Sequence, residues 1–346
     1  MTSPTRPVEA ERVSRSITFR RGTPEDEPDT FDVMRRAMGS DMSWSQHVRA
    51  RRHLRSAPNS SYWVAEDTPR FGRSRIVGYA HSMVRDGVWQ LTEFFVLTAY
   101  QRQGIGRTLL RCCLQDGEEA GASSRFILAS YHPAADSLYI RLAGCFPRLP
   151  MLLLGGQAES LHPHQAHGPI LDAVAPPSSS NHDSSEEPLL AEPMEANPVT
   201  LAVLDRLDRA ILGYTRLPEH LHWIAETGGP EGAARLFRKA GGGAQAGEPV
   251  GYAYYGPLST GPFLALNPAD LPRMVLHVLH VARLHPHISG HLARVEPYLA
   301  IPGCNEVMLQ WLLGCGWRIV FQYLYMSSHP VPKLEHYVCH NPLHFF

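Results

Sequence analysis

A loop with two glycines, Gln101 to Gly106, separates a strand-like segment from a helix-like one. The preceding segment, Trp89 to Leu97, is rich in aromatic and β-branched residues, and an apolar helical pattern follows the loop. Because glycine has no side chain, backbone N–H groups here can approach a ligand closely, and at a helix start they face the positive end of the helix dipole. The pattern predicts an anion-binding loop, with an ordinary strand–helix turn as the alternative.

The residues around the glycines exclude two common phosphate loops. No Gly-Lys-Ser/Thr follows, as a Walker loop requires, and no third glycine stands at the spacing of a dinucleotide-binding fingerprint. The segment Val96 to Gly106 instead resembles the acetyl-CoA signature (Gln/Arg)-x-x-Gly-x-(Gly/Ala) of the GCN5-related N-acetyltransferase (GNAT) superfamily. The resemblance covers about residues 16–150.

This resemblance implies that acetyl-CoA, or another short acyl-CoA, is the acyl donor. Its pyrophosphate would lie on the loop, and its pantetheine arm would pair with the preceding strand, where a bulge splays two parallel strands apart. The residues expected to hold it are Phe95, Val96, Leu97, Gln101, Arg102, Gln103, Gly104, Ile105, Gly106, Arg107, Thr108 and His132.

A second family element, Asn with Ala three and Tyr seven residues later, resembles His132, Ala135 and Tyr139. The resemblance implies that Tyr139 lies near the CoA sulfur and protonates the leaving thiolate. The alternative is a core tyrosine on an amphipathic helix. His132 replaces the usual Asn, and the Gly-Phe that closes the family's helix comes later than expected, at Gly144 to Phe146.

The proposed chemistry also needs a neutral amine and a group that removes its proton during attack on the thioester. Glu93 is the candidate general base, because it stands just before the strand expected to pair with pantetheine. Burial beside Phe94 and Phe95 would raise its pKa toward a useful range. The alternative is a glutamate on the solvent face of the strand.

A repeat divides the chain into two halves. Val77 to Ala80 recurs as Val250 to Ala253, and the helix that begins after His132 recurs after Asn305, both at an offset of 173 residues. We therefore expect an α/β protein with two tandem GNAT-like domains, each a mixed, mostly antiparallel sheet with splayed central strands flanked by helices. The predicted parts are a GNAT domain at residues 16–155, a flexible linker at 156–198 and a degenerate GNAT-like domain at 199–346. The duplication resembles tandem acetyltransferases such as mycothiol synthase.

The second copy lacks the residues that carry the chemistry. At the constant offset, Gln101, Gly104 and Gly106 become Met274, His277 and Leu279, while Glu93 becomes Leu266 and Tyr139 becomes Leu312. The sequence therefore predicts one CoA per chain, bound by the first domain.

Composition limits the remaining functions. The 346 residues carry a formal net charge of −1, which argues against a general electrostatic grip on nucleic acid or an anionic membrane. The arginines between residues 49 and 55 are interpreted as a solvated helix face. Six cysteines without paired Cys-x-x-Cys motifs indicate a reducing, cytoplasmic environment and no metal. No apolar run approaches the ~18 residues of a membrane span.

The hypothesis is thus an acyl-CoA-dependent N-acyltransferase that moves acetyl from acetyl-CoA to a primary amine of a small molecule by direct attack in a ternary complex. Two alternatives stay open: acetylation of a protein or peptide amine, and a non-catalytic CoA-binding sensor or scaffold. We expect a monomer or homodimer.

Overall fold

The computed structural model describes residues 16–39, 43, 44, 47, 51, 53–55, 57–68, 72–161, 170–172, 188–227, 233–240, 247–256, 259–284, 298–330 and 333–339. The strands are β1 (Ser16–Arg21), β2 (Ser60–Thr68), β3 (Arg75–Arg85), β4 (Val88–Val96), β5 (Ser124–Ala129), β6 (Phe146–Gly155), β7 (Ile170–Asp172), β8 (Leu189–Pro193), β9 (Arg235–Lys239), β10 (Pro249–Gly256), β11 (Ser259–Ala265), β12 (Tyr298–Pro302), β13 (Arg318–Ser327) and β14 (Tyr337–Val338). The α-helices are α1 (Glu27–Met38), α2 (Ile105–Glu119), α3 (Pro133–Leu138), α4 (Pro198–Ile211), α5 (Leu217–Glu226), α6 (Leu271–Leu284) and α7 (Glu306–Gly314). The described residues between 44 and 55 are also helical, and we refer to them as the 44–55 segment.

The first sheet has the strand order β1-β2-β3-β4-β5-β13-β6-β12. Its strands are antiparallel except for β4 and β5, which run parallel. Strand β3 is buried over its whole length apart from its first residue, as expected for a central strand covered on both faces. Apolar residues of α2 cover one face of this sheet, and Val33 and Met34 of α1 cover the other.

Each half of the chain contributes a strand to the other half. Strand β13 lies between β5 and β6, and β6 in turn lies between β13 and β12. Phe146 stands opposite Ser327 and Gly155 opposite Arg318, so the two exchanged strands pair along their full length. The predicted domain limits at residues 155 and 199 therefore do not separate two independent sheets.

The second sheet, β14-β11-β10-β9-β8-β7, repeats the hairpin of the first. Gly78 stands opposite Val96, and its counterpart Gly251 stands opposite Ala265. An added Cβ would lie 3.0 Å from the Phe95 carbonyl oxygen at Gly78 and 2.4 Å from the Leu264 carbonyl oxygen at Gly251. The repeated glycine is required by the same close approach in both copies. The expected fold class, an α/β protein with two related units of mixed sheet and flanking helices, is confirmed.

Two strands fall inside the segment expected to be a flexible linker. Strand β7 pairs parallel to β8, and β8 pairs with β9, so the second sheet begins before residue 199. Composition misled the prediction here, because the serines and prolines between the two strands outweighed the short, mostly apolar runs at Ile170–Asp172 and Leu189–Pro193. The serine- and proline-rich centre of the expected linker, 173–187, lies outside the described residues.

The two halves share a core on the face of the first sheet opposite α2. Met83 and Phe126 of that sheet belong to one buried cluster with Leu204 and Leu207 of α4. Polar contacts tie the same elements together: Arg85 donates from Nε to Glu219 Oε1 at 2.8 Å, and Arg209 pairs with Asp86 at 2.7 Å. None of the helices in the described ranges is both long and apolar enough to cross a membrane.

Candidate acyl-CoA and acceptor site

The loop between β4 and α2 is shaped to receive an anion. A 3₁₀ turn at Thr98–Tyr100 ends the strand, and α2 begins at Ile105 with Gly104 as its N-cap. Gly104 has a φ of +86°, and a Cβ added there would meet nothing within 4 Å, so its side-chain position is open. Arg102 also adopts a positive φ, +63°, a conformation that non-glycine residues hold mainly where the surrounding structure requires it.

Six consecutive backbone N–H groups, from Arg102 to Arg107, have no acceptor within the described part of the chain. The first backbone bond of the helix runs from the Thr108 N–H to the Gly104 carbonyl oxygen at 3.1 Å. Free N–H groups at the positive end of a helix dipole form an anion site. The loop therefore fits an anion such as a pyrophosphate, and the open space beside Gly104 leaves room for it.

The glutamines of the loop fold back onto the backbone. Gln101 donates from Nε2 to the Val96 carbonyl oxygen at 3.1 Å, and Gln103 donates to the Ala99 carbonyl oxygen at 3.1 Å. The loop is thereby held to the end of β4. The Arg107 side chain is exposed beside the loop, and the Thr108 hydroxyl donates to the Gly104 carbonyl oxygen at 3.4 Å.

The parallel strands β4 and β5 separate next to this loop. Their pairing ends at Leu91 and Ile127, and the register of β3 with β4 shifts where Thr92 is inserted as an extra residue. Beyond this bulge, Leu97 donates its N–H to Val77 of β3, so by alternation Phe94 and Val96 direct their backbone groups into the opening. The expected splay and bulge are both present.

Phe95, one of the strand residues expected to contact the acyl donor, points to the sheet face opposite α2. Its ring packs 5.5 Å from Tyr79, on the face that α1 covers. Phe94 instead faces α2, where a Cβ at Gly106 would lie 3.0 Å from its ring. The absence of a side chain at Gly106 thus leaves room for the Phe94 ring, and the start of α2 can pack against β4.

Tyr139 lies across the opening from β4. Its ring centroid is 5.9 Å from that of Phe94, and burial raises the pKa of the phenol well above its ordinary value. The phenol therefore stays protonated at neutral pH and can act as a proton donor. Helix α3 ends just before it, and Tyr139–Ala143 forms a π turn closed by Gly144 with a φ of +62°.

The π turn accounts for the late Gly-Phe noted in the sequence. Gly144 follows the N-cap His132 by twelve residues, whereas Gly316 follows the corresponding N-cap Asn305 by eleven. One inserted residue is what distinguishes a π turn from an α turn, and such turns occur often at functional sites. His132 itself accepts a hydrogen bond from the Ala135 N–H at 3.4 Å, so it replaces Asn as a helix cap.

Glu93 is almost completely buried, with 2% of its surface exposed. Its Oε1 accepts from Arg51 Nε at 2.5 Å and from the Tyr79 hydroxyl at 2.9 Å, while Arg55 Nη2 stands 3.9 Å from Oε2. Burial alone would raise the pKa of Glu93, but the charges of Arg51 and Arg55 outweigh it and lower the pKa to about 2. The expectation of a raised pKa is wrong.

The two arginines are the functional residues that sequence reasoning missed. Arg51 is 2% exposed, and the side chain of Arg55 is 10% exposed, so neither belongs to a solvated helix face. Their i, i+4 spacing on the 44–55 segment was a usable signal, since a glutamate in a buried strand requires a cationic partner.

Histidines complete this face of the site. Burial lowers the pKa of His47 to about 3 and that of His81 to about 4, so both rings are neutral at physiological pH. His81 contacts the Ser60 hydroxyl at 2.7 Å and the Thr92 hydroxyl at 2.5 Å, which ties it to the bulge in β4. Within the described ranges, no three His, Cys, Asp or Glu side chains come together to hold a metal ion.

The second half has no equivalent of the Gln101–Gly106 loop. Its 3₁₀ turn, Pro268–Asp270, is followed at once by α6, so residues 101–104 have no counterpart. The residues assigned by the constant offset, Met274, His277 and Leu279, lie inside that helix instead. By strand register, Phe94 and Phe263 occupy equivalent positions, because they stand opposite the equivalent residues Ala80 and Ala253. Glu93 therefore corresponds to Pro262 and not to Leu266.

The opening of the second half is filled by the chain itself. Strand β14 pairs with β11 through Tyr337 and Val338, and Cys339 donates its N–H to Ala300 of β12 at 2.9 Å. The equivalent place in the first half is the gap beside Phe94, where the resemblance puts the pantetheine arm.

The first half therefore combines a splay between two parallel strands with a free helix N-terminus beside it. Residues 29–144, about a third of the chain, match the sequence profile of the acetyltransferase (GNAT) family. A search of curated protein sequences finds no match.

Solved structures extend the likeness to the whole chain. A protein assigned as an acetyltransferase from Pyrococcus horikoshii has a TM-score of 0.65 at 15% identity, with 93% of this chain and 92% of that one covered. A GCN5-related N-acetyltransferase from Sphaerobacter thermophilus gives 0.56 at 12% identity, with coverages of 92% and 98%. A tandem GNAT protein from the clavulanic acid biosynthesis pathway gives 0.54 at 14% identity, with coverages of 91% and 99%. At these identities the likeness shows a shared fold, and the expected likeness to mycothiol synthase stays a prediction.

Proposed function

We propose that the protein transfers an acetyl group from acetyl-CoA, bound by the first half, to the primary amine of a small molecule. The observation that carries the proposal is the row of six free N–H groups from Arg102 to Arg107, placed directly beside the splay of β4 and β5. Family membership supports acyl transfer, and the loop supports CoA as the donor.

Acetyl-CoA supplies the acetyl thioester. The backbone edge of Phe94 and Val96 orients it in the opening, and Tyr139 stands where a departing thiolate needs a proton. As the new C–N bond forms, the thioester C–S bond breaks and the sulfur takes the proton of the Tyr139 hydroxyl. The proton that the amine nitrogen releases passes through solvent and returns the tyrosinate to its protonated form. Because burial raises its pKa, the phenol carries this proton at neutral pH.

Glu93 holds and orients the amine in this proposal. A carboxylate with a pKa near 2 is too weak a base to store a proton at neutral pH. It remains an anion, however, and its Oε2 has no hydrogen-bond partner in the described ranges. An amine placed there is fixed relative to the thioester, which accelerates attack by orientation.

The covered acceptor face supports a small acceptor over a protein substrate. The second half packs α4 and α5 against the sheet face that carries Glu93, and Arg85 and Glu219 close the contact. A peptide terminus would have to displace these elements, whereas a small molecule needs only a cavity beneath them.

Release of free thiol from acetyl-CoA tests the proposal. The protein is mixed with acetyl-CoA and pools of small primary amines, with a pool of N-terminal peptides in parallel, and acetylated products are identified by mass. We expect thiol release with a small-amine pool and none with Gly104→Trp. Acetyl-CoA binding without turnover by any pool would instead establish a sensor, and turnover of peptides alone would establish a protein or peptide acceptor.

A further inference from the structure

Five side chains form a buried polar cluster against the splay: His47, Arg51, Arg55, His81 and Glu93. They lie on the sheet face opposite α2, because Glu93 contacts Tyr79 while the next residue, Phe94, faces α2. Each of the five is a charged or neutral polar group with little or no exposure to water. The cluster therefore has to satisfy its own hydrogen bonds or receive a ligand.

Several atoms of this cluster have no hydrogen-bond partner in the described part of the chain. They are Oε2 of Glu93, Nε and Nη2 of Arg55, and both ring nitrogens of His47. A buried polar group left without a partner costs about 1–3 kcal/mol, and more when it is charged. Three neighbouring residues with this defect indicate a binding site whose occupant supplies both donors and acceptors.

Among the residues that the structure describes, the charges of the cluster and its flank cancel. Arg51 pairs with Glu93 at 2.5 Å, and Arg55 pairs through Nη1 with Glu27 at 2.7 Å, giving two cations and two anions. A ligand with a net charge would leave one buried charge uncompensated, which is strongly unfavourable. A ligand that carries one charge of each sign adds no net charge.

One cationic and one anionic group in the cluster are left to bind such a ligand. Glu93 Oε2 and Arg55 Nη2 are 3.9 Å apart, too far for a hydrogen bond between them. The carboxylate oxygen can accept from an amine, and the guanidinium can donate to an oxyanion. Because Glu93 follows the bulge at the splay, an amine held there stands beside the place where the thioester would enter.

We propose that the acceptor is a zwitterionic amine that carries a carboxylate, with its amine held by Glu93 and its carboxylate held by Arg55. The bound ammonium releases one proton to solvent before it attacks, because only the neutral amine has a lone pair. The inference rests on the proposed acetyl transfer, and it names the substrate class of the same site. A phosphate-bearing amine is disfavoured because a dianion would leave the neutral cluster with a net negative charge.

The test compares the twenty standard amino acids with their primary amides as acceptors, using acetyl-CoA and thiol release. An amide keeps the amine and loses the carboxylate. Its α-amino pKa resembles that of a chain terminus, about 7.7–8.0, so it is also the easier nucleophile. We expect kcat/KM for at least one amino acid to exceed that for its amide by roughly 10-fold or more, although the amide is intrinsically the more reactive amine.

Substitutions of Arg55 test whether this residue causes the preference for amino acids over their amides. In Arg55→Gln the acid-to-amide ratio should fall toward one, and in Arg55→Lys it should fall partially, while the acetyl-CoA thermal shift stays. Arg238→Gln is the control, since Arg238 pairs with Glu192 in the second sheet, and its ratio should not change. Amides or simple amines used as well as acids, or an unchanged ratio in Arg55→Gln, would overturn the inference while leaving acetyl transfer intact. No turnover of any amine would count against the proposed function itself.

Discussion

The Nε atom of Arg51 lies 2.5 Å from Oε1 of Glu93, and both residues are 2% exposed. This pair joins the 44–55 segment to β4 across 42 residues of sequence. It determines the protonation of Glu93, because without the arginine charges burial would raise the pKa of the carboxyl group. The candidate acceptor site therefore depends on a contact between two distant elements.

Replacement of Glu93 by Gln should destabilise the protein by about 3–5 kcal/mol, because it removes the buried carboxylate that faces the Arg51 charge. Urea unfolding measures the change. Asp32→Asn is the control, since it breaks an exposed pair with Arg36 and should cost less than about 1 kcal/mol. Equal effects of the two substitutions would contradict the buried-pair account.

The same pair predicts a pH dependence of stability. The pKa of Glu93 falls from 4.5 to about 2 on folding, so its contribution is fully present above pH ~4.5 and is lost as the pH falls toward 2. This shift corresponds to about 3 kcal/mol. Unfolding free energies between pH 2.5 and 7 should show this loss in the wild type and a smaller slope in Glu93→Gln. Superimposable slopes would show that Glu93 titrates normally in the folded protein.

Tyr139→Phe should reduce kcat by roughly 10²–10⁴-fold if the phenol delivers the proton to the thiolate. Acetyl-CoA affinity should change little, since proton delivery matters only as the thiolate leaves. Turnover and calorimetric affinity are compared in one preparation. Tyr131→Phe, at a position 73% exposed, should retain full activity. Wild-type turnover in Tyr139→Phe would reassign this ring to packing.

Glu219→Gln tests whether the second half supports the site of the first. Glu219 Oε1 accepts from Arg85 at 2.8 Å and contacts His53 Nε2, on the 44–55 segment, at 3.2 Å. We expect lower stability and a higher KM for the acceptor, with acetyl-CoA affinity unchanged. The exposed inter-half pair of Arg209 and Asp86 is the control, and Arg209→Gln should have little effect. An unchanged acceptor KM in Glu219→Gln would restrict the second half to general stability.

Local rules were sufficient to predict the shape of the Gln101–Gly106 loop. Gly104 and Gly106, a preceding strand and a following helix stand within a short stretch of sequence, and their geometry follows from glycine's backbone freedom and the helix dipole. The repeat could be recognised in the sequence for a similar reason. Gly78 and Gly251 are both required because a carbonyl oxygen of the neighbouring strand lies close to each of them.

Long-range features could not be derived in this way. The exchange of β6 and β13 depends on pairing between residues more than 160 positions apart, and no local pattern encodes which neighbour a strand selects. The protonation of Glu93 depends on where the 44–55 segment packs. The offset of 173 failed inside the second half because a shortened β10–β11 hairpin and a missing loop change the register between two matching elements.

The most direct test of the account is a calorimetric titration of acetyl-CoA into the wild type, Gly104→Trp and Gly121→Trp. Gly121 is the matched control, since its φ of +80° and open side-chain position match those of Gly104 away from the Gln101–Gly106 loop. We predict a stoichiometry near one for the wild type and for Gly121→Trp, and no binding for Gly104→Trp. A stoichiometry near two, or unchanged binding in Gly104→Trp, would contradict a single acyl-CoA site at the Gln101–Gly106 loop.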